Sequence, residues 1–201
     1  HFKRNHYKQA EARAQAFDGD RDLEKAWGEK GLNILFRFFG TADLSAVPLT
    51  AEQFHEIRLN DHVTLGGKID RIDRRPDGSL VVLDYKTGKA PQVQSPEAIA
   101  RKDIQLAAYA LLVARKFRGK VARCSYLYLD HEVEVGYEPD EAFLQQKEGE
   151  IVSLCQTILE DEEYEPRPNP LCPWCDFREI CPKGDVWEKA VAPASEDQLP
   201  F

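Results

Sequence analysis

Residues 66–88 read GGKIDRIDRRPDGSLVVLDYKTG. Two apolar-rich segments flank Arg75-Pro76-Asp77-Gly78, where proline presets one dihedral and glycine permits positive φ, so the stretch predicts a β-hairpin. Leu80-Val81-Val82-Leu83, four apolar residues in a row, predicts a short strand buried on both faces and therefore central in its sheet. Asp70 falls near the end of the first segment, and Asp84 and Lys86 close the second. By the two-residue period of a strand, Asp84 and Lys86 share a face. The hairpin thus gathers two carboxylates and an amine at one end.

Two like charges held close together repel, and one of them is pushed toward its protonated form unless a cation sits between them. Hard divalent ions such as Mg²⁺ take carboxylate oxygens and keep water positions open. An amine beside such a site can orient a water molecule or offset charge developing on a phosphate. Metal-assisted phosphodiester hydrolysis follows from that set of groups. Taken one at a time, Asp70, Arg71, Asp84 and Lys86 read equally well as surface ion pairs at strand ends.

Outward from the hairpin, Glu52–Leu59 and His62–Asp73 are strand-like, with Leu59-Asn60-Asp61-His62 as their turn. Before them, residues 1 to about 40 carry a helical spacing in which Leu23, Ala26, Trp27, Leu32, Leu35, Phe36 and Phe39 are expected to pack in the core. After them, Ser95-Pro96-Glu97 opens a helix predicted to run to about Phe117, since proline suits the first helical position. Val121–Leu129 predicts a strand and Glu132–Tyr137 its hairpin return. Asp140–Leu159 predicts a helix with Phe143, Ile151, Leu154 and Ile158 turned inward. No internal repeat is evident. The order gives an α/β or α+β fold with a central mixed sheet flanked by helices. Three regions are expected: a core over 1–164, a cysteine-rich segment over 165–185 and a tail over 186–201.

With 201 residues and 42% hydrophobic content, the chain can bury one sizeable core. No stretch reaches the ~20 apolar residues needed to span a bilayer, and the expectation is a soluble cytoplasmic protein without a membrane partner. The chain opens at His1 and contains no methionine, so its start does not read as a native translation start and residues upstream are to be expected. The net charge of −8 argues at first against a polyanionic partner. Its distribution reverses that argument: residues 130–165 hold thirteen acids against Lys147, a balance of −12, so the remainder sums to +4. Arg101 to Arg123 carries seven basic residues against Asp103, a surface compatible with nucleic acid. The acidic run reads as a solvated face.

Five cysteines, three of them crowded near the C-terminus, do not form a secreted disulfide framework. Cys172, Cys175 and Cys181 give C-x2-C-x5-C, which suits zinc or an iron–sulfur cluster, either of which needs four ligands. Cys124 and Cys155, taken singly, read as buried thiols behaving as small hydrophobes.

Glu52, Gly67-Lys68-Ile69-Asp70, Asp84-Tyr85-Lys86-Thr87-Gly88 and the pair Gln105 and Tyr109 stand in an order that resembles the RecB-like branch of the PD-(D/E)XK nuclease superfamily. The bare D-x-K triplet is common by chance; the ordered set is specific. The resemblance implies a restriction-endonuclease-like core, with Asp70, Asp84 and the Tyr85 carbonyl as ligands of Mg²⁺ or Mn²⁺. It implies that Lys86 positions the attacking water, that Glu52 takes the place of the family's first acidic residue, and that Gln105 and Tyr109 lie near the DNA. Many relatives add a histidine from an N-terminal helix, for which His1 and His6 are the candidates. In AddB- and Cas4-like relatives the C-terminal cysteines hold a [4Fe-4S] cluster with a fourth, upstream cysteine, and no cysteine precedes Cys124 here. Either that ligand lies upstream of His1, or Cys155 replaces it, or the site is degenerate.

The resemblance therefore implies a metal-dependent, exonuclease-like DNA nuclease of repair or recombination, acting on single-stranded or duplex ends, with a helicase or other repair protein as partner. Two other readings stand beside it. One is a non-catalytic DNA-binding or scaffolding module of a helicase–nuclease complex. The other is a zinc-stapled interaction domain whose acidic face, Asp130 to Glu165, docks a basic partner.

Overall fold

The computed structural model describes residues 17–42, 47–92, 95–169, 172 and 175–183. His1, His6, Trp174 and the 186–201 tail lie outside the described residues. The hairpin forms as its sequence dictates. Gly78 adopts φ 82°, the Gly78 N–H donates to the Arg75 carbonyl at 2.9 Å, and Asp77 Oδ1 accepts from the Ser79 N–H at 2.9 Å. This turn joins β2 (Thr64–Arg74) to β3 (Leu80–Lys86), and β1 (Thr50–Arg58) pairs antiparallel along β2.

The five strands lie in the order β1-β2-β3-β4-β5, with β4 (Val121–Tyr128) and β5 (Val133–Tyr137) completing the sheet. All neighbours are antiparallel except β3 and β4, which run parallel. A parallel pair needs a crossover, and helices supply it on one face. As expected, β3 is the central strand, with Leu80 and Val82 fully buried. Mixed sheet and helices together make an α+β fold.

The crossover is two helices rather than the continuous one that periodicity predicts: α2 (Pro96–Lys102) and α3 (Ile104–Phe117). Asp103 breaks the run. Its backbone is extended, and its Oδ1 accepts from the Leu106 N–H at 3.0 Å, so a side chain caps a new helix where backbone bonding would otherwise continue. Helix α3 buries Leu106, Ala107, Tyr109, Ala110, Leu111, Leu112 and Val113 between the sheet and α4 (Glu141–Glu160). Arg115 near the end of α3 pairs with Glu141 and Glu148 of α4 at 2.9 and 3.1 Å.

Two expectations about helix faces fail. In α4, Leu144 and Ile151 are buried, whereas Leu154 and Ile158 are 45% and 56% exposed. With 20 residues against 14, α4 outruns α3 by six, and the buried residues of α4 lie in its first eleven positions. Helix α1 (Arg21–Thr41) buries no residue: Trp27 is 68% and Phe36 72% exposed, and Leu23, Leu32, Leu35 and Phe39 are exposed too. Its ties to the body include Lys30 and Arg37 on Asp130, at 2.8 and 3.3 Å, and a Phe38–Tyr85 ring contact at 5.7 Å. An apolar stripe sets the helical period but not what covers it.

Among the described residues no helix is long and apolar enough to cross a membrane.

Candidate active site

The site is built where the β2–β3 ladder stops. Paired residues run from Arg74–Leu80 to Arg71–Leu83; beyond them Asp70 Oδ2, rather than a backbone carbonyl, accepts the Tyr85 N–H at 2.8 Å. On the other side of β2, Ala51 pairs with Arg71 and Gln53 with Ile69, which leaves Glu52 and Asp70 facing each other without a pairing of their own. Glu52 has φ 52° there, a left-handed conformation that costs a non-glycine residue on the order of 1 kcal/mol. Ile69 and Ile72 are both fully buried although three residues apart, so the strand's alternation shifts between them, at Asp70.

Asp84 is only 4% exposed. Lys86 Nζ lies 2.7 Å from its Oδ2, an ion pair at the buried carboxylate. Burial pushes the Asp84 carboxyl above the usual carboxylate range against the pull of the Lys86 ammonium; Asp70 and Asp103 add smaller upward pushes. From Lys86 a chain of hydrogen bonds runs inward. Lys86 Nζ donates to Gln105 Oε1 at 3.1 Å, Gln105 Nε2 donates to the Tyr109 hydroxyl at 3.0 Å, and that hydroxyl donates to the Lys68 carbonyl at 2.9 Å. The four-residue spacing of Gln105 and Tyr109 on α3 puts both on the face that meets the sheet.

Gly67 makes room for this chain. A Cβ there would lie 2.9 Å from Tyr109 Cε1, so any side chain at position 67 would displace the ring whose hydroxyl anchors Gln105. Glu52 is exposed and pairs with the Lys68 ammonium, whose pKa the Glu52 hydrogen bond raises.

Sequence reasoning missed Tyr126 and Asp103. The Tyr126 hydroxyl donates to Asp103 Oδ1 at 2.7 Å and lies 3.3 Å from Gln105 Oε1, and its ring centroid is 4.7 Å from Lys86 Nζ. Burial above all, with Asp103 next, drives the Tyr126 hydroxyl far above its ordinary pKa. The signal in the sequence was slight: an alternating strand over 121–129 and an aspartate three residues before Leu106.

Asp70 and Asp84 offer hard oxygens, and a buried carboxylate with a like-charged neighbour suits a divalent cation. Among the described residues no three His, Cys, Asp or Glu side chains gather as a metal cage. Two carboxylates alone then fit an ion such as Mg²⁺, which takes few protein ligands and retains water. The cysteines are arranged differently. Cys172, Cys175 and Cys181 line one pocket of about 420 Å³ together with Tyr164, Phe177 and Ile180, but do not converge as a ligand set. Cys124 is fully buried, its Sγ donating to the Leu106 carbonyl at 3.4 Å, and Cys155 is half-buried on α4 against the core.

A family model bears on the class of this α+β core directly: residues 3–182 match the PD-(D/E)XK nuclease superfamily. The chain belongs to that superfamily. Over 140 residues it is 30% identical to the CRISPR-associated exonuclease Cas4/endonuclease Cas1 fusion of Myxococcus xanthus (strain DK1622), a match covering 67% of this chain and 24% of the relative. The chain thus spans about a quarter of that relative's length. A looser likeness, at TM-score 0.44 and 20% identity, is to the crystal structure of SSO0001, covering 86% of this chain and 81% of that one.

Proposed function

We propose that this chain is a metal-dependent DNA nuclease, exonuclease-like, which hydrolyses phosphodiester bonds at DNA ends in repair or recombination. The observation that supports the reading most is the grouping of Asp70, Asp84 and Lys86 where the β2–β3 pairing stops, with Gln105 and Tyr109 beneath Lys86. Membership of a nuclease superfamily supports the reaction class, and the exonuclease named in the Myxococcus relative supports the exonuclease-like mode.

In this reading Asp70, Asp84 and the Tyr85 carbonyl hold one Mg²⁺ or Mn²⁺. When bound, such an ion supplies Lewis-acid stabilisation of the charge that develops on the phosphate. Lys86 does the positioning. An ammonium has three N–H donors; with one directed to Gln105 and one toward Asp84, a third is left to orient the attacking water or a phosphate oxygen. Burial keeps water from competing for the Asp84 side of that pair and strengthens the ammonium's effect on developing charge. Glu52, at the kinked position opposite Asp70, sets the charge on the outer edge of the site through Lys68. Cys172, Cys175 and Cys181, once gathered, would supply three of the four ligands of a structural [4Fe-4S] cluster, with zinc as the alternative, by virtue of their soft thiolates and spacing; among the described residues no fourth ligand converges there. Association with a helicase or another repair protein belongs to the same proposal.

The test is cleavage of single- and double-stranded DNA with Mg²⁺ or Mn²⁺ by the parent, Asp84→Asn and Lys86→Ala. The parent cuts, and each variant loses roughly 10²–10⁴-fold in kcat. A parent that cuts nothing would leave a non-catalytic DNA-binding module as the better reading, and variants that cut as fast as a cutting parent would overturn the roles given to Asp84 and Lys86.

A further inference from the structure

Lysine carries four rotatable bonds and roughly 2 kcal/mol of rotamer entropy, so a catalytic ammonium must be held as well as present. In this chain Lys86 is touched on three sides: by the Asp84 carboxylate at 2.7 Å, by Gln105 Oε1 at 3.1 Å and by the ring face of Tyr126 at 4.7 Å. Tyr126 comes from a different strand, brought there by the parallel register that sets Asp84 beside Tyr126 and Lys86 beside Tyr128. It is nearly buried, and its hydroxyl is fixed by Asp103, whose same Oδ1 accepts the Leu106 N–H that starts α3. The hydroxyl also lies 3.3 Å from Gln105 Oε1, the oxygen that accepts from Lys86.

From this geometry we infer that Tyr126 is a positioning residue: its hydroxyl, donated to Asp103, fixes the ring, and the ring face seats the Lys86 ammonium. The inference rests on the reading of Lys86 as catalytic but not on the identity of the substrate. Two links make the device stiff. The helix cap immobilises Asp103, and Asp103 immobilises the tyrosine, so the position of the amine is tied to where α3 begins. A cation over an aromatic face gains about 0.5–2 kcal/mol depending on its solvation, enough to select one rotamer of a flexible chain. The break between α2 and α3, which interrupts an otherwise regular helical pattern, thereby acquires a use: it supplies the free carboxylate that holds Tyr126.

The experiment combines a spectroscopic signature with kinetics. An amine seated over a ring places the lysine ε-methylene protons in the ring's shielding zone. In the metal-free parent the Lys86 Hε resonances are therefore expected upfield of those of the other lysines. The shift persists in Tyr126→Phe, which keeps the ring, and disappears in Tyr126→Leu. In cleavage assays Tyr126→Leu lowers kcat about tenfold with KM changed by less than about twofold, while Tyr126→Phe stays within about threefold of the parent. In a Lys86→Ala background Tyr126→Leu costs nothing further, because the group it serves is gone. Unshifted Lys86 Hε protons in the parent overturn the inference even if no variant folds, and so does a loss in the double variant that multiplies the two single losses. A parent without nuclease activity refutes the functional reading but leaves the resonance test of Tyr126 standing.

Discussion

At the end of the sheet, Asp84, Lys86, Gln105, Tyr109 and the Lys68 carbonyl are linked through one ion pair and three hydrogen bonds, on residues carried by two strands and a core helix. In the 172–183 segment, three thiols line a pocket on a chain of turns, threaded by bonds such as Cys175 N–H to the Cys172 carbonyl at 3.2 Å and Cys181 N–H to the Arg178 carbonyl at 3.3 Å. The first group of donors is placed by folding itself, because strands and helix are buried beneath it. Among the described residues the second contributes nothing to the buried core, and a metal would have to gather it. Preorganised oxygens against ungathered thiols is the contrast expected between a site that does chemistry and one whose metal supplies folding energy.

The sharpest way to break that contrast is to damage the preorganisation without touching a donor. Gly67→Ala puts a Cβ against the buried Tyr109 ring, and overpacking of this kind costs about 1–3 kcal/mol in denaturant unfolding. Cleavage activity should fall with it, since Tyr109 anchors Gln105 and Gln105 holds Lys86. Gly66→Ala is the control one residue away: its Cβ would meet Phe54, an exposed ring free to swing aside, so both losses should be smaller. Equal effects at the two glycines would remove the argument that Tyr109 organises the site.

The smallest expected effect lies at the other end of the chain. In the metal-free protein, replacing Cys172, Cys175 and Cys181 together by serine should change unfolding free energy by less than about 0.5 kcal/mol, because these positions are exposed or half-exposed and lie outside the core. When iron and sulfide are supplied under anaerobic conditions, only the parent should gain visible charge-transfer absorbance. If the serine variant unfolds without any metal present, the segment is an integral part of the fold and the contrast fails.

Much of this was legible in the sequence for a local reason. The Pro76-Asp77-Gly78 turn, the apolar run Leu80–Leu83 and the helix start at Ser95-Pro96 state their own conformations, and each is found where expected. Gln105 and Tyr109 were singled out by the resemblance rather than by any local pattern, and their four-residue spacing on α3 brings them into contact. What escaped depends on elements far apart in the chain. The place of Tyr126 beside Asp84 is set by the parallel register of β3 and β4, which no local pattern encodes. Asp103 looked like one polar position in a long amphipathic run, and only its partner on β4 gives it a second role. The exposed face of α1 was misread as core because a stripe of Trp27, Phe36 and Phe39 looks the same whether or not something lies over it.

The central claim, that Asp70 and Asp84 form a divalent-ion site which Lys86 serves but does not build, is tested most directly by calorimetric titration of the protein with Mn²⁺ in the absence of DNA. The account predicts one bound ion per chain for the parent and for Lys86→Ala, and loss of that ion in Asp70→Asn and Asp84→Asn alike. Undiminished binding in Asp84→Asn would contradict it.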